Sequence, residues 1–496
     1  MKGPGRLPDA LSNREVRLTR IVLVVVLVLV VGRHNARVRV RRRVRGRFSR
    51  ELAMHRRLPF LMTFGFVATL ALGDADAALR LVADGKSAYG VYHSPDAPES
   101  VKLAAREIQR VIKVSTGVEL PIADTPREPM ICLGENAEAK KAGLTADSLP
   151  DDGFRLVTKG SNLYILGKDT PADKPTWVAW ISRGTLFGAY EFLESVVGAR
   201  WLMPGEWGED VPRHTTLSVP DLSVAKSPDF QIRSLVDIQD RKRGSDPNPQ
   251  KTVEWLRRNK MPSTSEGRKL NLGHAWDQYL KPEDWEAHKD YLAMSADGKP
   301  RMFAKAAYVK FCTSNPALVN AFAQGVIRWL DERPQMRGAS ISPSDGGDFC
   351  QCSNCQALVT PDPHGKPSYT PVILRFANDV ARIVGKKHPD RMLACYVYYN
   401  YMYPPDKPVA IEPNLYLVWA PLNYYGWGLQ KPVYREEFPS IVKGWTALTR
   451  NFFYHNYSTW MRSFNGAPLP PGFDILKLEL PTLRKHGVQA AEMVGI

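Results

Sequence analysis

The stretch ISPSDGGDFCQCSNCQAL, residues 341–358, sets an aspartate, two glycines and three cysteines in close succession. Cys350, Cys352 and Cys355 offer three thiols at C-x-C-x2-C spacing, and Cys312 in KFCTSNP offers a fourth. Four thiolates can hold a structural zinc ion, although paired C-x2-C spacing is the commoner form. Four thiols can equally make two disulfides, which an exported chain can form, and that pairing is preferred here to zinc. No Cys-His-Asn arrangement accompanies them. The cysteines therefore read as scaffold for the loop that carries Asp345, and the chemistry itself requires no cofactor. Cys132 and Cys395 lie within apolar runs and read as small buried side chains.

Asp345 ends an apolar run, and an unpaired carboxylate there is costly unless it opens onto solvent or a ligand. Gly346 and Gly347 let the backbone turn sharply beside it. Glu492 stands in QAAEMV, another apolar run whose small neighbours leave room for it. A carboxyl pair of this kind can divide the roles of acid and of base or nucleophile, with Glu492 as acid, Asp345 as nucleophile, base or orienting group, and the roles exchangeable. Around them GHAWDQY supplies His274, Trp276 and Asp277, YYNYMY supplies Tyr399 and Asn400, and WAPLNYYGW supplies Trp419, Asn423 and Tyr424. YHNYSTW adds His455, Tyr457 and Trp460, and Asp237 and Asp240 end an earlier run. Flat aromatic faces stack on pyranose rings, while amides and imidazoles bind hydroxyls. Trp276, Tyr399, Trp419 and Trp460 are thus candidate stacking platforms, and His274, Asn400, Asn423 and His455 candidate hydroxyl ligands.

Such residues need a frame that brings distant segments together. From Ala78 to about Ala225 short strand signals alternate with two helices. In the first helix Val101, Ala104, Ala105, Ile108, Val111 and Ile112 recur at three- and four-residue spacing and Gly117 supplies a stop; the second lies in SRGTLFGAYEFLESVVGARWL. This predicts a small α/β accessory domain over 78–225, with no nucleophile or metal spacing in it. From 226 to 496, apolar strand-like runs recur at 230–237, 339–343, 393–399, 414–419, 451–457 and 487–494, with helical runs such as NPALVNAFAQGVIRWLDE between several of them. Buried strands alternating with helices predict a parallel sheet. Short strands near 270–274 and 303–311 bring the number to about eight, the count of a (β/α)8 TIM-type barrel, whose chemistry sits at the C-terminal ends of its strands. The last run stops at Ile496 with no helix after it, so a C-terminal truncation is expected.

The N-terminus bears on compartment. Residues 21–32 form an apolar run too short for the roughly 20 residues of a spanning helix. After an arginine-dense stretch, Met54 begins a complete export signal: basic MHRR, apolar LPFLMTFGFVATLAL, and Ala75-Asp76-Ala77 as a small-x-small cleavage site. Residues 1–53 are expected to be a mis-assigned upstream extension and 54–77 the signal peptide, which makes the mature chain periplasmic or extracellular, with no stable membrane partner once cleaved. Residues 1–77 hold 16 of the 67 Lys and Arg but 5 of the 51 Asp and Glu, so +11 of the formal +16 charge lies there. What remains is not the charge of a nucleic-acid binder, and RVRVRRRVRGR has no interleaved aromatics. The expected partner is a carbohydrate.

Two segments also look familiar. RGTLFGAYEFLESVVGARWLMPGEWGEDVP resembles the N-terminal accessory domain shared by α-glucuronidases and β-hexosaminidases. GHAWDQYL, HKDYLAMSADGKP, FCTSNPALV and SPSDGGDFCQCSNCQAL resemble the bacterial secreted proteins of domain-of-unknown-function family 4838. The resemblance implies a glycoside-hydrolase-like barrel behind an accessory domain, acting on a polysaccharide or oligosaccharide, or else a carbohydrate-binding protein on a decayed barrel. Hexosaminidases carry an Asp-Glu pair at the end of the fourth strand, where this chain reads Ser344-Asp345-Gly346, so their mechanism does not carry over whole.

Overall fold

The computed structural model describes residues 79–171, 181–236, 249–261, 272–303, 305–424, 428–456 and 472–494. The segments expected to be an upstream extension (1–53) and a signal peptide (54–77), and Asp237, Asp240, Tyr457 and Trp460, lie outside them. No helix among the described residues is long and apolar enough to cross a membrane.

The first half is built on ten strands: β1 (Leu79–Val82), β2 (Gly90–His93), β3 (Ile122–Ala123), β4 (Met130–Leu133), β5 (Phe154–Lys159), β6 (Asn162–Gly167), β7 (Arg200–Trp201), β8 (Glu209–Asp210), β9 (Leu217–Val219) and β10 (Ser223–Lys226). Six of them form one sheet in the order β10-β5-β6-β4-β2-β3, while β1 pairs with β9 and β7 with β8. The helix Glu99–Thr116 buries all six residues of its predicted stripe, and Gly117 ends it at φ 78° with its N–H returned to the Lys113 carbonyl. The second helix, Gly184–Phe192, packs into the same core through Leu186, Phe187, Ala189 and Tyr190. Its first residue is glycine for a steric reason, since a Cβ at Gly184 would lie 2.2 Å from the Gly153 carbonyl oxygen.

The second half adds β11 (Ile232–Val236), β12 (Gly338–Ser340), the small hairpin β13 (Thr360–Pro361) and β14 (Pro367–Ser368), then β15 (Met392–Tyr398), β16 (Leu415–Ala420), β17 (Phe452–Asn456) and β18 (Ala490–Val494). Six of these make one sheet in the order β11-β18-β17-β16-β15-β12, every pair parallel. The first strand of this sheet, β11, lies beside its last, β18, as it must when a sheet curls round to meet itself. Beyond β12, His274 makes a parallel bridge to Ser342, and Leu272 lines a small void together with Ile232 of β11. Segment 272–274 thus occupies the arc between the two ends of the sheet. The helices Pro249–Arg258, Pro316–Asp331, Thr370–Lys387, Pro432–Leu448 and Gly472–Lys485 fall between the strands except from β15 to β16, where only the turn Tyr399–Tyr401 intervenes, giving the α/β order of a TIM-type barrel.

One expected strand needs correction. Among its described residues segment 303–311 supplies no parallel strand, and Phe311 bridges Leu292 in the antiparallel sense. Val309 and Phe311 are buried against the same core as Trp276 and Trp285, so a packed excursion carries the same apolar signature as a strand. Among the described residues the curled sheet has six strands and one bridging segment.

The two sheets have separate cores joined by polar ties. Glu107 on the first helix pairs with Arg258 at 2.9 Å, Glu209 of β8 with the same Arg258 at 3.4 Å, and Asp152 with Arg233 at 2.9 Å. Trp255 Nε1 donates to the Trp201 carbonyl. The change of sheet falls between Lys226 and Ile232.

Candidate active site at the mouth of the curled sheet

Side chains alternate across a strand, so each strand has one phase facing the lumen and one facing the helices. The void lined by Ile232, Leu272, Met392, Leu393, Ala394, Tyr416, Val418 and Phe453 takes alternate residues of β15 and β16 apart from Leu393, and so indicates the lumen phase. Continuing it toward the C-terminal ends brings Tyr396 and Tyr398 of β15 and His455 of β17 inward. In β18 the register sets Glu492 beside His455.

There His455 Nδ1 and Glu492 Oε2 are 2.9 Å apart, with the glutamate side chain only 2 % exposed. The His455 ring lies 5.8 Å from that of Tyr396, which meets the His274 ring edge-on at 5.3 Å. His274 also faces Tyr398, whose hydroxyl donates to Asp345 Oδ1 at 3.3 Å. A continuous polar and aromatic arc therefore runs from Glu492 to Asp345. Its two carboxyl ends differ in access, since the Asp345 side chain is 52 % exposed. Burial holds the His274 imidazole below its usual range, against the pull of the Pro343 carbonyl and the Asp345 carboxylate. A neutral ring that donates from Nδ1 to Pro343 leaves Nε2 as an acceptor, 3.7 Å from Asp345 Oδ1. Either acceptor can take the single proton of a sugar hydroxyl.

Sequence reasoning missed three residues of this region. Tyr396 and Tyr398 become legible as the inward phase of LACYVYY once Ala394 is known to face the lumen. Lys310 gave no signal. It is buried, its Nζ donates to the Asp345 carbonyl oxygen at 2.6 Å, and it lies over the rings of Phe303 and Phe349 at 6.0 and 5.9 Å. Burial lowers its pKa from 10.5 to about 8. Between those values the unfolded chain binds more protons than the folded one, so stability rises as pH climbs from about 8 to 10.5. Urea unfolding over that range is expected to lose this rise in Lys310→Met; an unchanged slope counts against it.

The remaining expected residues divide. Trp276 and Trp419 are corrected from platforms to core, because both are 0 % exposed. Trp276 packs among Phe311, Phe322, Phe349 and Phe376, and Trp419 stands in the helix-facing phase of β16 against Phe438, Phe452 and Tyr454. Tyr399 is exposed just past β15, at φ 48°. Asn400 donates to the Gly347 carbonyl at 3.0 Å and so ties down the loop after Asp345. Asn423 is exposed in the turn Leu422–Tyr424. On the far side of β17, Tyr454 and Asn456 donate to the fully buried Glu479 at 2.6 to 3.0 Å, a polar tie of strand to helix outside the lumen.

The four cysteines meet at one point. The sulfurs of Cys312, Cys350, Cys352 and Cys355 lie within 4.8 Å of one another, and all four are free thiols. Such a group could hold a metal ion.

Residues 203–494 match the family described as Domain of unknown function (DUF4838), and the chain belongs to that family. No curated protein sequence matches it. Solved structures similar to the chain include a GH138 enzyme targeting pectin rhamnogalacturonan II, at 12 % identity and TM-score 0.39 over 82 % of this chain and 46 % of that one. Another is a family GH115 4-O-methyl-α-glucuronidase with specificity for decorated arabinogalactans, at 14 % identity and TM-score 0.44 over 83 % and 54 %. A third is Flavobacterium johnsoniae chitobiase, at 12 % identity and TM-score 0.39 over 84 % and 63 %. The chain spans less than two thirds of the length of each of these proteins.

Proposed function

We propose that the protein is an exported, glycoside-hydrolase-like enzyme, periplasmic or extracellular, that cleaves glycosidic bonds of a polysaccharide or oligosaccharide at the mouth of its barrel. The observation that carries this reading is the inward arc Glu492–His455–Tyr396–His274–Tyr398–Asp345, which sets two carboxyl groups of unlike access among tyrosines and imidazoles. Asp345, open and supported by the Tyr398 hydroxyl, acts as nucleophile or as base toward water at the anomeric carbon. Glu492, hydrogen-bonded to His455, supplies the proton that the leaving oxygen takes up, and the two roles are exchangeable. His274 Nε2 or Asp345 Oδ1 accepts the proton of a sugar hydroxyl, and Tyr399 offers an exposed ring to a pyranose face. No cofactor takes part in these steps.

A second reading, carbohydrate binding without cleavage, is favoured by the burial of Glu492 behind His455. One experiment separates the two: glycan-array binding followed by a reducing-sugar assay on every glycan bound. Release of reducing ends supports the hydrolase, and binding without turnover on all of them supports the lectin-like reading.

A further inference from the structure

We propose that Cys312, Cys350, Cys352 and Cys355 bind one structural zinc ion as a four-thiolate site, and that this ion fixes the loop presenting Asp345. Tetrahedral zinc with Zn–S bonds of about 2.3 Å sets its sulfurs about 3.8 Å apart. Here the Cys312 and Cys352 sulfurs are 3.7 Å apart and all four fall within 4.8 Å, a mutual convergence that a tetrahedral ion requires. Two disulfides need only pairwise approach.

The surroundings also suit thiolates. The Met294 N–H donates to the Cys350 sulfur at 3.3 Å, and the Ser314 hydroxyl lies 3.4 and 3.5 Å from the sulfurs of Cys312 and Cys352. Thr313 Oγ1 stands 3.8 Å from the Cys355 sulfur. Once the thiols have lost their protons, the Met294 N–H and the single proton of each hydroxyl can each turn to one thiolate and so orient and stabilise it. Three of the four cysteines are buried, while Cys352 is partly open and gives an ion an entry path. On binding, each thiol releases its proton to solvent as a Zn–S bond forms, with no change of oxidation state.

The ion would add its bonds to the backbone hydrogen bonds that already join three segments, Cys312 to Tyr291, Ala293 to Lys310 and Gln351 to Met294. Cys312 follows the buried run that carries Lys310, and Cys350 to Cys355 lead into and occupy the short helix Ser353–Gln356. Met294 joins the group through its N–H to Cys350 and its carbonyl to the Gln351 N–H. Lys310 and Asp345, bonded to each other, are held between these anchored segments.

The test is metal analysis of the intact chain, purified without chelator and exchanged into cobalt. The expected result is about one zinc per chain, a non-reduced mass equal to that of the six-thiol chain plus its ion, and thiolate-to-cobalt charge-transfer absorption after exchange. Cys352→Ser, at the partly open position, is expected to lose most of the metal and to melt about 10 °C lower. A metal-free chain, whether oxidised to disulfides or carrying free thiols, overturns the proposal. So does full zinc occupancy in a folded Cys352→Ser. None of these readouts depends on glycoside cleavage, so the metal site and the hydrolase reading can fail separately.

Discussion

Glu492→Gln and Asp345→Asn are each expected to lower kcat on a cleaved glycan by about a thousandfold, with KM changed by less than about threefold. Both changes keep shape and hydrogen bonding. The amide carbonyl that Glu492→Gln introduces can still accept from His455 Nδ1, as Glu492 does across 2.9 Å. At position 345 an amide oxygen can still accept from the Tyr398 hydroxyl and from the Gly346 N–H. The Lys310 bond goes to the Asp345 backbone carbonyl and is untouched by the exchange. What each variant loses is the charge or the transferable proton, which is needed in the transition state and little needed to hold the substrate. Steady-state kinetics beside a thermal melt check the result. Near-normal turnover in either variant, with the fold intact, removes that residue from the mechanism.

The strands of the barrel were legible because six apolar runs with helical runs between them have few other arrangements. The phase of those strands was not. A parallel sheet is buried on both faces, so in NLYLVWA the series Leu415, Leu417, Trp419 and the series Tyr416, Val418, Ala420 look equally fit to line a lumen. That ambiguity alone puts Trp419 at the mouth in a reading of the sequence and hides Tyr396 and Tyr398. His455 and Glu492 fall in the right phase because a buried polar residue has few places to go on the helix side. The exception is instructive, since Asn456 does face the helices and is satisfied there by Glu479, a partner 23 residues on that no local pattern announces. Lys310 and the excursion around it were illegible for a related reason: aromatic residues that bury a loop are of the same types as those that bury a strand. The cysteines stand out at once, yet their spacing alone does not separate zinc from disulfides, because the decision rests on how four sulfurs meet in space.

Trp276→Ala is expected to destabilise the protein by about 3–5 kcal/mol from lost packing alone, and Tyr399→Ala by less than about 1 kcal/mol. Trp276 is fully buried, stacked at 5.6 Å on Phe311 and edge-on to three further phenylalanines. Its Nε1 also donates to the Ile341 carbonyl at 3.0 Å, at the point where β12 leads into Asp345, and removing the donor leaves that buried carbonyl wanting at a further cost of about 1–3 kcal/mol. Trp419→Ala is the useful comparison. It too empties a ring-lined site, but the Met402 carbonyl that its Nε1 serves at 2.9 Å is also served by Trp445 at 3.1 Å, so the packing loss comes without an orphaned acceptor and the cost is the smaller of the two. Tyr399 is the reverse case, 52 % exposed at a positive φ that a tyrosine adopts only under strain. Its ring contributes little to the fold and is free to meet a ligand, so Tyr399→Ala is expected to weaken glycan binding by about 1 kcal/mol or more while the melting temperature stays nearly constant. Chemical denaturation of the three variants beside glycan titration of Tyr399→Ala checks the whole pattern. A Trp276→Ala protein as stable as the parent sinks the core assignment, and unchanged glycan affinity in Tyr399→Ala removes that ring from recognition.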